Sequence, residues 1–267
     1  MRTPRVAHHR ATDRVIDILE LTAASRDGLL LRDLSRGIET PKSSLLPLLR
    51  TLSARGYLEQ GRAGEYRLGA RVGELGMQSS RRALIQAARP ALEALMRRTG
   101  ESAFLTTLAA DAGAVVFIDQ VESRQVIRYA VGLGDRTPLH ATANGKAILA
   151  FLSHAQREEI LKALRLKRYT EHTLTTVPGL RASLDEIRAS GVAVSVDEVV
   201  RGATGVAAPI FEAGGGVAGA CAIGGPSDRV KSRLRQLSAD VRATARSISA
   251  LLGHADNGTG SAVRRNT

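Results

Sequence analysis

The stretch TPKSSLLPLLRTLSARGYL, residues 40–58, decides the reading of this chain, because it presents a helix followed by the first strand of a hairpin. Leu45, Leu48, Leu49 and Leu52 recur at helical spacing and mark one face for burial, which leaves Lys42, Ser43, Ser44 and Arg50 on or near the other. Thr40 is placed to cap this helix and Pro41 to take its first position, where the missing N–H has no partner to lose. Upstream, RVIDILELTAA (14–24) and LLRDLSRGI (30–38) read as two more amphipathic helices, the second only a few residues before the third. Downstream, GYLEQGRAGEYRLG (56–69) has alternating apolar residues on either side of a Gly-rich turn and predicts a two-stranded wing. Three short helices and a wing make a winged helix-turn-helix, whose chemistry is DNA binding by a helix placed in the major groove.

Charge placement agrees with that reading. The chain of 267 residues has a formal net charge of +12. Residues 1–82 hold 15 basic and 9 acidic side chains, residues 83–225 hold 15 and 14, and residues 226–267 hold 8 and 3. Basicity therefore sits at the two ends, and beside a helix-turn-helix pattern it points to phosphate contact by the N-terminal part. Arg2, Arg5, Arg10 and Arg14 form a basic arm suited to phosphate or a neighbouring minor groove, the plain alternative being a disordered terminus. A single cysteine, Cys221, excludes an internal disulfide framework and a multi-Cys zinc site, and fits a reducing cytoplasm. No run reaches some 18 consecutive apolar residues, and no apolar stretch follows the basic N-terminus, so a soluble intracellular protein is expected.

After the wing, residues 69–100 read as helix, with a break or bend near 76–80 and either a kink or a second helix start at Pro90; Gly100 is placed to end it. From Ala103 the pattern turns to strands, AFLTTLAA, GAVVFIDQV and QVIRYAV, followed by a helix opening near Thr142 and helices near 154–163 and 179–190. Strands at 192–196, 204–211 and 216–225 and a last helix over 227–252 complete the pattern. Five or six mainly antiparallel strands with helices on the faces make an α+β sensor-like domain.

Several separate blocks resemble the IclR family of bacterial transcriptional regulators: RVIDILELTAA, PKSSLLPLLRTLSARGYLE, YRLGARVGELG, PLHATANGKAILAFL, IRASGVAV and GVAAPIFEAGGGVAGACAIGGP. Their order and spacing, from about Arg14 to Arg229, are specific where any single block is weak. The resemblance implies an α+β chain in which an N-terminal winged helix-turn-helix is joined by a linker helix to a GAF-like domain that binds a small-molecule effector. It also implies a homodimer or dimer of dimers on a palindromic operator in double-stranded DNA, with no cofactor, no metal and no membrane. The boundaries expected are a disordered basic arm at 1–11, the DNA-binding domain at 12–70, the linker helix at 71–88, the effector domain at 89–253 and a disordered tail at 254–267.

Lys42, Ser43, Ser44 and Arg50 are the expected base contacts, with Arg62 and Arg67 of the wing on backbone phosphates. The chain departs from the family at Leu46 and Pro47, where polar or basic residues are common. A proline in a helix interior costs about 3 kcal/mol, so a local bend or a kinked reading helix is expected. By resemblance the effector residues map onto Ala143 and Asn144, Ser195, Gly205, Ala222 and Gly224. Small groups stand there where relatives carry carboxylate, thiol or hydroxyl anchors, which implies a ligand larger or less polar than a small oxo-acid. His140 and Thr142 are further hydrogen-bond candidates, and Arg128 or Arg136 a partner for a ligand carboxylate.

Simpler roles stand beside these. His140 reads more readily as a brace for the loop into the helix, Asn144 equally as a cap, and Cys221 as a small core residue. Gly214–Gly216 is a hairpin turn, and Asp197 and Glu198, adjacent on a strand, point to opposite faces and form no catalytic dyad. The residues offer no nucleophile elbow, phosphate loop or metal-spaced cluster, so an enzyme is not expected. A regulator whose sensor domain has lost its ligand and serves only in oligomerisation is the remaining alternative.

Overall fold

The computed structural model describes residues 9–255, so Arg2, Arg5 and the tail beyond 255 lie outside the described residues. The chain divides into two compact units, residues 1–81 and 82–267.

In the N-terminal unit, α1 (Arg10–Ala24), α2 (Leu31–Gly37) and α3 (Lys42–Ala54) precede a hairpin of β1 (Leu58–Gln60) and β2 (Tyr66–Leu68). Their apolar faces meet in one core of Ile18, Leu34, Leu45, Leu49, Leu52, Leu58 and Tyr66. The hairpin pairs Leu58 with Leu68 and Gln60 with Tyr66, and an isolated bridge from Leu29 to Tyr66 adds a third edge to the wing. The expected start of α3 is displaced by one residue. Pro41 is the N-cap in an extended conformation, its carbonyl accepts the Ser44 and Leu45 N–H groups, and the Thr40 hydroxyl turns back to the Ile38 carbonyl at 3.1 Å instead of capping.

Pro47 does not interrupt α3, which runs unbroken over 13 residues. The ring lacks the N–H that would bond the Ser43 carbonyl, but Pro47 and Ser43 are both exposed, so water can satisfy that group. The same holds for α4 (Ala70–Thr99), a continuous 30-residue helix through the expected break at 76–80 and through exposed Pro90. Gly100 ends it at φ 77°, a left-handed turn that a side chain disfavours.

The C-terminal unit is built on a six-stranded antiparallel sheet of order β5-β4-β3-β8-β7-β6. The strands are β3 (Ser102–Leu108), β4 (Ala114–Val121), β5 (Arg136–Pro138), β6 (Ala193–Val196), β7 (Ala203–Phe211) and β8 (Val217–Pro226). Side chains alternate between two cores. Ala220, Ala222 and Ala207 join Phe104, Leu139 and Ile148 under α5 (Ala143–Phe151), α6 (His154–Ala163) and α7 (Val177–Ser190). Cys221, Ile223, Val206 and Ala208 join Leu84, Leu92 and Leu95 of α4 and Leu237, Val241 and Ile248 of α9 (Leu234–Leu251) on the other face.

Two expectations fail locally. QVIRYAV forms no strand: residues 125–131 are irregular, with Tyr129 and Val131 packed against the core under α5, and the edge strand is instead β5. The expected last helix is split into α8 (Ser227–Lys231) and α9 at Ser232 and Arg233.

If exposure of its carbonyl partner is what lets α3 tolerate Pro47, Pro47→Ala restores one helical hydrogen bond and stabilises α3 by about 1–3 kcal/mol. Native-state hydrogen exchange of the α3 amides checks this, and unchanged protection contradicts it.

Candidate nucleic-acid interface and effector cavity

The third helix keeps Leu45 and Leu49 fully buried, which turns Lys42, Ser43, Ser44, Pro47 and Arg50 to the exposed side. Helical periodicity therefore delivers the expected polar and basic face, with Pro47 inside it. Lys42, Arg50 and exposed Arg62 make no ion pair among the described residues. Arg67 faces outward because the strand alternation buries Tyr66, and it lies 3.4 Å from the Glu65 carboxylate, which takes up part of its charge.

In the C-terminal unit, the start of α5 packs into the sheet. Gly145 is required there: a Cβ would stand 2.5 Å from Leu139 Cα. Thr142 caps the helix, its Oγ1 accepting from the Gly145 N–H at 3.0 Å and donating to the Pro138 carbonyl at 2.8 Å. One turn in, Lys146 is only 2% exposed; its Nζ donates to the Val194 carbonyl at 3.0 Å and to Glu198 Oε1 at 2.5 Å. Burial pushes the Glu198 carboxyl above the usual carboxylate range, opposed by the Lys146 ammonium. Ser195 Oγ donates to the Ala141 carbonyl at 2.8 Å, which ties β6 to the loop just before α5.

Beside these ties lies a cavity of about 60 Å³. Of the expected residues, Thr142, Ala143, Asn144, Ser195, Gly205 and Gly224 line it. Phe104, Phe117, Tyr129, Val199 and Val200 line it as well and were not foreseen, since no local motif announces them. The lining contains no charged residue, and the aromatic rings meet edge-on, Phe104 with Phe117 at 5.4 Å and with Tyr129 at 6.0 Å. Asn144 is 7% exposed and its Oδ1 has no partner. Its side chain is not the helix cap, which is Thr142.

Four expected residues stand elsewhere. Arg128 is exposed and paired with Glu122 at 2.9 Å. Ala222 is closed inside the core beside Phe104 and Ala147. His140 is 1% exposed, and its Nε2 donates to the Lys167 carbonyl at 3.0 Å; burial lowers its pKa, so the neutral ring braces the loop before α5. It borders a separate open groove of about 740 Å³, whose rim charges Arg136 and Asp111 are already paired at 2.6 Å. Cys221 is fully buried, with its thiol pushed up to about 12 by desolvation, so it is a core residue.

Residues 11–62 match the IclR helix-turn-helix domain, and residues 77–250 match the bacterial transcriptional regulator IclR C-terminal domain. The chain belongs to the IclR family. It is 37% identical over 243 residues to the HTH-type transcriptional regulator BhcR of Paracoccus denitrificans, covering 90% of this chain and 86% of that one. A solved IclR-family regulator from Rhodococcus sp. superposes with a TM-score of 0.72 at 27% identity, covering 94% of this chain and 97% of that one. An IclR homolog from Microbacterium hydrocarbonoxydans, solved in complex with 4-hydroxybenzoate, superposes at 0.59 with 26% identity over 90% of this chain and 98% of that one. This IclR-family protein is thus a transcriptional regulator that joins a DNA-binding helix-turn-helix domain to an IclR C-terminal domain. No helix among the described residues is long and apolar enough to cross a membrane.

Removing one member of the buried pair leaves the other charge unpaired. Lys146→Met is expected to cost about 3–5 kcal/mol, and Lys146→Met with Glu198→Leu to recover most of it. Denaturant unfolding of the single and double variants checks this; additive losses contradict it.

Proposed function

We propose that the regulator reads a palindromic operator as a homodimer or dimer of dimers in the cytoplasm. Lys42, Ser43, Ser44 and Arg50 contact base edges, and Arg62 and Arg67 contact phosphates. Residues 12–70 act as the reading domain, 71–88 as the linker and 89–253 as the sensor. The sensor takes its effector in the cavity at the start of α5, through Thr142, Ala143, Asn144, Ser195, Gly205 and Gly224. The observation that carries this is the buried Asn144 Oδ1 without a partner at the cavity, because a buried acceptor is costly until a ligand supplies a donor.

The effector is less polar than a small oxo-acid. A cavity with no charged lining and three aromatic rings rewards an apolar body with a donor group at one end. A larger ligand gains less support, since Phe104 and Tyr129 occupy the room left at Gly224, where a Cβ would lie 3.2 Å and 3.3 Å from their rings. That filling is also what favours the second reading, a sensor kept only for oligomerisation.

The test is footprinting on DNA upstream of the gene across a salt series, with metabolite fractions added. A discrete palindromic footprint that one fraction shifts is expected. Lys42→Ala should reduce the salt slope of binding by about one if Lys42 also neutralises a phosphate. Gly205→Val should leave the footprint intact and abolish its response, because the new methyl groups enter the cavity. A response that survives Gly205→Val contradicts the site, and no response in the native protein favours the second reading.

A further inference from the structure

From the cavity walls we infer that Tyr129 is its gate and specificity-determining residue, and that the Arg229–Glu101 pair holds that gate shut; this rests on the cavity being the effector site. At about 60 Å³ the space is far smaller than the roughly 150 Å³ that admits a benzene-sized ligand, so a ligand of that size fits only if one wall moves.

The two lips of the cavity differ in how they are fastened. The lip carrying Val199 and Val200 is tied repeatedly. Asp197 accepts from Ser227 Oγ at 2.5 Å and from the Gly202 N–H at 2.9 Å and pairs with Lys231 at 3.1 Å, while Thr170 and Thr173 donate to the Asp197 and Glu198 carbonyls, each at 2.6 Å. The other lip is the segment 124–131. It is anchored at its ends, by Ser123 to the Gly100 carbonyl at 2.5 Å and by the Gly134 N–H to the Phe117 carbonyl at 2.8 Å. Between them its backbone makes two hydrogen bonds among the described residues, Gln125 N–H to Ser123 Oγ and the Ile127 carbonyl from Arg229 Nη2 at 3.1 Å. Val126 and Ile127 are 95% and 71% exposed, so packing adds little there. Tyr129 and Val131 pack on the core under α5, but the few backbone bonds and the exposed Val126 and Ile127 mark this as the lip that opens first.

Arg229 is fixed for this task. Its Nε and Nη2 grip the Glu101 carboxylate at 2.5 and 2.7 Å, and Glu101 is 1% exposed beneath Gly225, where a Cβ would stand 2.3 Å from Oε2. The fork that holds Glu101 thus reaches Ile127 and, two residues on, sets the Tyr129 ring against Phe104 and Gly224. Withdrawing that ring is what makes room, so the length of ligand accepted depends on where the ring comes to rest.

A ligand-independent test places a thiol on the opposite wall. In the full chain, Ser195→Cys is labelled with a small thiol reagent while Cys221, buried in the other core, reports global unfolding. Adding Tyr129→Ala is expected to speed labelling of residue 195, and adding Arg229→Lys, which keeps a charge on Glu101 but loses the fork, to speed it on the order of tenfold. Lys231→Ala, on the tied lip, should leave the rate unchanged. Equal rates in all variants, equal acceleration by Lys231→Ala, or Cys221 labelled as fast as residue 195 would each overturn the gate. Accelerated labelling together with an operator response that ignores Gly205→Val would keep the gate and remove the effector site.

Discussion

The buried pair of Lys146 and Glu198 is the constraint on which the sensor depends. A lysine at the second turn of a helix lying in the sheet's core has no solvent to turn to, so it must meet both a carboxylate and a carbonyl. Meeting them fixes α5 against β6 and against the turn that follows β6. The space between those elements is the cavity, and its inner end is the start of α5. A pair of this kind is better understood as fixing geometry than as adding stability, because its desolvation opposes its attraction.

Elsewhere the chain tolerates apparent violations by placing them where water or a neighbour compensates. Pro47 and Pro90 both sit on exposed helix faces, so the carbonyls they leave without a partner remain open to solvent. Gly224 lacks a side chain, and the rings of Phe104 and Tyr129 close over it. The second exchange shapes the cavity, since aromatic walls stand there, one of them on a weakly held segment.

Much of this organisation was legible in the residues themselves. Leucines at helical spacing foretold which side of α3 is exposed, and period-two alternation foretold the two-sided sheet. Local signals misled where long-range packing decides. QVIRYAV has strand-forming residues, yet β4 pairs with β5 and the segment packs as irregular chain, and Pro90 carries a helix-breaking signal that its exposed position cancels. The cavity divides the same way: Thr142, Ala143 and Asn144 belong to one contiguous motif, while Phe104, Phe117 and Tyr129 converge only through strand pairing and a folded-back segment. Lys146 and Glu198 are 52 residues apart, and nothing short of the fold shows that they meet.

The most direct measurement is hydrogen–deuterium exchange of the full-length protein with and without the low-molecular-weight extract fraction that alters its operator binding. Effector capture at the start of α5 predicts new protection at residues 142–146 and across 124–131. Protection confined to the groove beside Asp111 and Tyr169, or none at either segment while operator affinity changes, would contradict it.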